Sequence, residues 1–269
     1  MRLLRFGPEG FSAVETEPGE YRLLFSDPFS TPPSAWQIGR RVDLASEAIR
    51  APLEPGKIVC VGRNYREHAA ELGNAVPGEP LIFLKSPSAV VGHLAPIVLP
   101  PESAMVHYEG EIAVVLRDRL RRADAATARR AILGITCACD VTARDLQKKD
   151  GSFSGAKSFD TFCPLGPAVA IDLELDELRL ETRVNGQVRQ RAGAGEMVFA
   201  IPELLAHASR RMTLEPGDVF LTGTPAGVGE LHDGDVVEVE IPGVGVLRNP
   251  VEAWRQDVAA TAAAATNAD

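Results

Sequence analysis

The stretch VHYEGEIAVVL, residues 106–116, decides how the chain is read. Side chains alternate faces along a strand, so Glu109 and Glu111 project from one side ~7 Å apart. Ile112 to Leu116 is apolar on both faces, the mark of an interior strand. The two carboxylates therefore stand at the mouth of a buried strand. A second apolar run, Ile135 to Cys139, ends in Asp140, where a strand hands over to a polar turn, and this third acid can complete a cluster. Neighbouring anions in a low dielectric repel strongly unless one is protonated or a positive charge lies between them. Three hard oxygen donors suit Mg²⁺ or Mn²⁺. The competing reading is a solvated strand end bearing two acids.

Composition sets the wider frame. With 269 residues, 45% hydrophobic and 24% charged, the chain can bury one large core, or a core with a small module attached. A formal net charge of -9, with no basic run longer than pairs such as Arg40-Arg41 and Lys148-Lys149, argues against nucleic-acid and anionic-membrane partners. The four cysteines lie mostly in apolar runs without paired metal-site spacing, and read as buried thiols. The N-terminus MRLLRFGPEG lacks a signal-peptide core, and no apolar stretch is long enough to span a bilayer, so a cytoplasmic location is expected.

Working outward, residues 1–55 read as short strands broken by Pro and Gly, a small β-rich module without chemically useful clusters. Ile58 to Gly62 is a compact apolar strand running into RNYREHAAELG, which reads as a short helix with Asn64 as N-cap and Gly73 as stop. His68 and Glu71 share a face of that helix, a geometry in which a carboxylate orients an imidazole base. Surface neighbours at this spacing are the alternative. Lys85 sits inside the apolar strand of PLIFLKSPSAVVG and must find either water or an anion. Asp124 to Gly134 reads as an Ala-rich helix. In DVTARDLQKKDGSFSGAKSFDTFCPLGP, Thr142 reads as the cap of a helix carrying Arg144 and Gln147 on one face, a fork and an amide suited to carboxylate and carbonyl groups. Residues 151–155 have the composition of a mobile cover, and Lys157 is a natural point charge for a developing oxyanion. Further on, Asn185-Gly186 marks a hairpin, Met197 to Met212 an amphipathic helix, and Thr222 to Pro225 a strand end with hydroxyls and amides able to hold a carboxylate. The tail, 257–269, reads as frayed.

The ordered set VGRNYREHAAE, IFLK, YEGEIAVV, CDVTARDLQ, AKSFDTFCPLGP, VNGQVRQ and LEPGDVFLTGTPAGVG resembles the fumarylacetoacetate hydrolase family from about Gly56 to Val251. Single elements are weak, but their joint order is specific. The resemblance implies an α+β, mostly β chain: a mixed β-sandwich roll with few short helices, with residues 56–256 as the catalytic domain and usually a homodimer. It assigns Mg²⁺ or Mn²⁺ to Glu109, Glu111 and Asp140. His68 and Glu71 become the water-activating pair, Lys157 the enolate stabiliser, and Arg144, Gln147 and Thr224 substrate contacts. It implies a small 2-oxo acid substrate, with C–C hydrolysis of an acylpyruvate placed first. A 2-hydroxyhepta-2,4-diene-1,7-dioate isomerase or an oxaloacetate-type decarboxylase of aromatic catabolism is the alternative. A noncatalytic metal-stabilised β-scaffold is the rival from another class. Phe153 stands where many members have Trp, and Ala194 where a hydroxyl residue is common.

Overall fold

The computed structural model describes residues 1–45 and 47–256, so the expectation for the tail lies outside the described residues. The chain is mostly β with short helices, as the sequence led us to expect. Its largest sheet is ordered, edge to edge, Ile38–Val42, Glu20–Leu24, Phe11–Glu17, Arg2–Phe6, Cys163–Ala170, Ile132–Cys139, Gly110–Leu116, Val219–Leu221, Ile58–Gly62 and Leu81–Lys85. A second sheet runs Gln187–Gly193, Arg179–Val184, Val236–Ile241, Gly245–Ala253 and Ile97–Leu99, and it packs against the middle strands of the first. Ile112, Ile135, Val239 and Leu247 belong to the buried core that the two layers share. The interior strand read from VHYEGEIAVVL is buried at all seven positions from Gly110 to Leu116.

The N-terminal strands are tied into this framework by main-chain pairing of Arg2–Phe6 with Cys163–Ala170. Asn185-Gly186 turns a hairpin with both residues at positive φ, 53° and 75°, the conformation their side chains favour. The four cysteines are free and buried, and burial holds the thiols of Cys137, Cys139 and Cys163 up at about 12. Among the described residues no helix is long and apolar enough to cross a membrane.

Several local expectations are corrected. The helix after the Ile58–Gly62 strand is Arg66–Glu71 with Tyr65 at its N-cap; Asn64 caps nothing. Its amide instead donates to the carbonyls of Thr222 and Phe199 and accepts from the Phe199 N–H, joining segments more than 130 residues apart. Thr142 belongs to a two-residue strand, Thr142–Ala143, paired with Val106–Tyr108, and the helix that follows is Arg144–Asp150 with no side-chain cap. The anticipated cover at 151–155 is largely a helical turn, Phe153–Lys157. The Ala-rich helix stops at Arg130, and Ile132 already begins a strand. The amphipathic helix is shorter than read, Ile201–Arg211.

Candidate active site

Antiparallel pairing builds the acidic wall. Gly110 lies opposite Cys139, which places Glu109 beside Asp140 across the ladder, and the Asp140 N–H donates to the Glu109 carbonyl at 2.7 Å. Glu111 follows on the same face, and one carboxylate oxygen from each of the three acids lies within 4.8 Å of the other two. The glycine between the glutamates is obligatory: a Cβ on Gly110 would overlap the Thr182 hydroxyl. Its N–H donates to Gln190 Oε1 at 2.9 Å, and its carbonyl accepts from the Thr224 hydroxyl at 2.9 Å. Two strands and a hairpin thereby fix the spacing of the acids.

Three cations neutralise part of this charge from behind and beside. Lys85 Nζ reaches Asp140 Oδ1 at 2.7 Å and is fully buried. It also donates to the carbonyls of Val141 and Lys157. Lys157 Nζ donates to Glu109 Oε2 at 2.7 Å, Asp140 Oδ2 at 2.6 Å and Thr142 Oγ1 at 2.8 Å. Arg144 pairs with Glu109 and donates to Gln147 Oε1 at 2.8 Å, while its buried Nε has no partner among the described residues. Burial alone would raise the Glu109 carboxyl, but Lys157 and Arg144 outweigh it and hold Glu109 below the usual carboxylate range. Lys157 is held above its ordinary value: burial opposes the charge, and Asp140 and Glu109 overcome that opposition.

Glu111 is the exception. Among the described residues it accepts one hydrogen bond, from the Gly223 N–H at 2.6 Å, and burial together with the charges of Asp140 and Glu109 pushes its pKa well up. A buried carboxylate with no direct ion pair among the described residues, in an all-oxygen trio this close, fits a divalent ion of the Mg²⁺ or Mn²⁺ kind.

Across the cavity stands the helix Arg66–Glu71. His68 is buried, with Nδ1 3.3 Å from Glu71 Oε2. The other Glu71 oxygen accepts the Gly227 N–H at 3.0 Å, so the carboxylate joins the helix to the turn after Thr224. Eight of the nine residues singled out from the sequence line one cavity of about 70 Å³, and Glu71 stands behind His68. A cavity of that size suits a small substrate. Thr224 lines the cavity too, but its hydroxyl proton goes to Gly110 while it accepts from Gln190 Nε2 at 2.7 Å.

Sequence reasoning left Lys85 undecided between two roles, read Asn64 as a helix cap, and did not single out Arg63 or Gln190. A lysine in an apolar strand was a usable signal for Lys85. Gln190 gave none, because its partners lie 34 and 80 residues away. Phe153, noted as a departure, meets Phe83 edge-on at 5.1 Å in the cavity wall, and Lys157 Nζ lies 5.3 Å from the Phe83 ring centre.

With this geometry in hand, comparison with known proteins is informative. The model of the fumarylacetoacetate (FAA) hydrolase C-terminal family matches residues 57–252. The oxaloacetate tautomerase YisK of Bacillus subtilis is 42% identical over 224 residues, 77% of this chain and 74% of its own length. The mitochondrial oxaloacetate tautomerase FAHD2A of Bos taurus is 46% identical over 209 residues, 73% of this chain and 67% of its own. Among solved structures, the 2-hydroxyhepta-2,4-diene-1,7-dioate isomerase from Mycobacterium marinum superimposes with a TM-score of 0.85 at 40% identity, covering 95% of this chain and all of that one.

Proposed function

The chain belongs to the fumarylacetoacetate hydrolase family, a family of enzymes, and from that premise we propose that it takes a small 2-oxo acid through its enol form, isomerisation being the net reaction. One observation carries the reading. A buried imidazole braced by a carboxylate faces the three acids and Lys157 across a cavity of about 70 Å³. Glu109, Glu111 and Asp140 would hold a divalent ion, which would supply Lewis-acid polarisation of the 2-oxo group.

The remaining work falls to the chain's own residues. Glu71 accepts from Nδ1 of His68, which keeps Nε2 free of its proton and able to take one from the carbon next to the 2-oxo group. The same nitrogen returns it at another position of the enol. Lys157 has given all three N–H bonds to Glu109, Asp140 and Thr142, so it acts on a developing oxyanion as a fixed positive charge. Arg144 Nε and the Gln147 amide N–H groups are the donors available for the substrate carboxylate. Thr224 Oγ1 keeps one lone pair, which fits an enol hydroxyl.

A second reading, hydrolysis of an acylpyruvate, is supported by the same His68 and Glu71 pair, which can equally deprotonate a water. The similarity to two oxaloacetate tautomerases and a dienedioate isomerase, at 40–46% identity, supports isomerisation over hydrolysis. The exposed Leu81 and Leu84 on the edge strand Leu81–Lys85 support a homodimer within this proposal.

Incubating Mg²⁺- or Mn²⁺-loaded protein with oxaloacetate enol, a 2-hydroxy-dienedioate and acetylpyruvate, with NMR identification of products, separates the readings. Isomers without fragmentation support the first, and pyruvate plus acetate the second. Absence of turnover on all three with metal bound sinks both.

A further inference from the structure

The cavity holds one cation that this chemistry leaves without a task. Of the four basic side chains lining it, Lys157 is bonded to Glu109 and Asp140, Arg144 to Glu109, and His68 to Glu71. Arg63 makes no hydrogen bond or ion pair with any of the described residues, although it lines the same cavity. It is partly exposed, as is Asn74, and Leu72 beside them is exposed, so this is the outer end, opposite the buried acids. The Phe83 and Phe153 rings line the space between and suit a short carbon chain.

The backbone at Arg63 is as informative as its side chain. Its φ is 59°, in the left-handed region that glycine adopts freely and a long side chain occupies only under strain. Both neighbours are pinned. Gly62 is paired with Leu81 in the sheet, and fully buried Asn64 makes three hydrogen bonds to the main chain of Phe199 and Thr222. A single residue turns the strand into the helix that carries His68, and it is an arginine where glycine would be the relaxed choice.

We propose that Arg63 binds the distal carboxylate of the substrate, making the enzyme selective for 2-oxo acids with an anionic group at both ends. A guanidinium presents two parallel N–H groups to a carboxylate, and a partly enclosed one without a protein anion is the complement of such a group. The inference rests on the proposed placement of the 2-oxo carboxylate end at the acidic wall, which leaves the far end of a four- or five-carbon chain at Arg63.

The test pairs ligands alike in head and length but different at the tail: oxaloacetate against 2-oxobutyrate, and 2-oxoglutarate against 2-oxopentanoate. Calorimetric titration of the Mn²⁺-loaded protein is expected to show at least one dicarboxylate bound about 10- to 100-fold more tightly than its partner. R63Q is expected to erase that ratio and R63K to keep part of it. R63G removes the guanidinium while relaxing the backbone, so it should melt no lower than wild type and still lose the preference. A wild type that does not discriminate, or an R63G that keeps the ratio, overturns the proposal. Deuterium exchange at the carbon next to the 2-oxo group, followed by NMR on the same ligands, reports the enol chemistry separately. Binding preference that depends on Arg63 without exchange upholds this inference and sinks the proposed reaction. Equal exchange of both members of each pair, in wild type and R63G alike, does the reverse.

Discussion

The two walls of the cavity are built by opposite means. The acidic wall is assembled by sheet register: Glu109, Glu111 and Asp140 hang from paired interior strands, and Lys85 and Lys157 lock them with buried ion pairs. The facing wall is a six-residue helix without a side-chain cap, held to the turn at Gly227 by one Glu71 hydrogen bond. A helix that short has little stability of its own and depends on its docking. Charges that must stay fixed are carried by the rigid wall. The proposed base, His68, is carried by the weaker one.

Lys85→Met tests the rigid side hardest. It leaves Asp140 with Lys157 as its remaining cation and two carbonyls without their donor, so stability should fall by about 3–5 kcal/mol in chemical denaturation. A loss no larger than that of a surface substitution would show that the wall is not assembled electrostatically. His68→Gln tests the weaker side: turnover should drop about 10²- to 10⁴-fold while the denaturation midpoint hardly moves. A comparable loss of stability would erase the distinction between the walls.

Glu111 predicts a pH effect. Its folded-state pKa is raised, so in metal-free protein its ionisation opposes folding: this contribution is harmless below the ordinary carboxylate pKa near 4.5 and costs increasingly as pH climbs from there towards the folded value. Metal-free Glu111→Gln should therefore be more stable than metal-free wild type at pH 8, by about 1–3 kcal/mol, and the difference should vanish on acidification. Equal pH profiles for the two proteins would refute it. The smallest effect is expected for Glu71→Gln, which keeps the shape but loses the charge that orients His68. Turnover should fall about 10-fold, with the pH optimum shifted, since second-layer partners of this kind are worth 10- to 100-fold.

What could be read from residues alone follows the same division. The acidic trio was legible because alternation and apolar runs are local patterns, and one antiparallel pairing, Gly110 with Cys139, converts them into proximity. The Asn-Gly turn was legible for the same reason. The caps assigned to Asn64 and Thr142 were not, because both polar side chains are engaged elsewhere: Asn64 by the distant main chain of Phe199 and Thr222, and Thr142 by the ammonium of Lys157 and the nearby carbonyl of Asp140. Gln190, which braces both Gly110 and Thr224, carries no local signal, since nothing near it in the chain distinguishes it from the exposed polar residues of its hairpin. Local pattern thus places the groups that a strand displays, and leaves silent the side chains that hold distant strands at their working separation.

The pairing of Arg2–Phe6 with Cys163–Ala170 has a practical consequence for anyone shortening this chain. Cutting away the first fifty residues would strip the outer neighbour from a strand whose Val169 and Ala170 are buried, leaving bare amides and carbonyls beside apolar side chains. Such a rim is a template on which another chain can add itself. The trimmed protein should therefore precipitate or stack in solution, even though every residue proposed for chemistry lies beyond the cut.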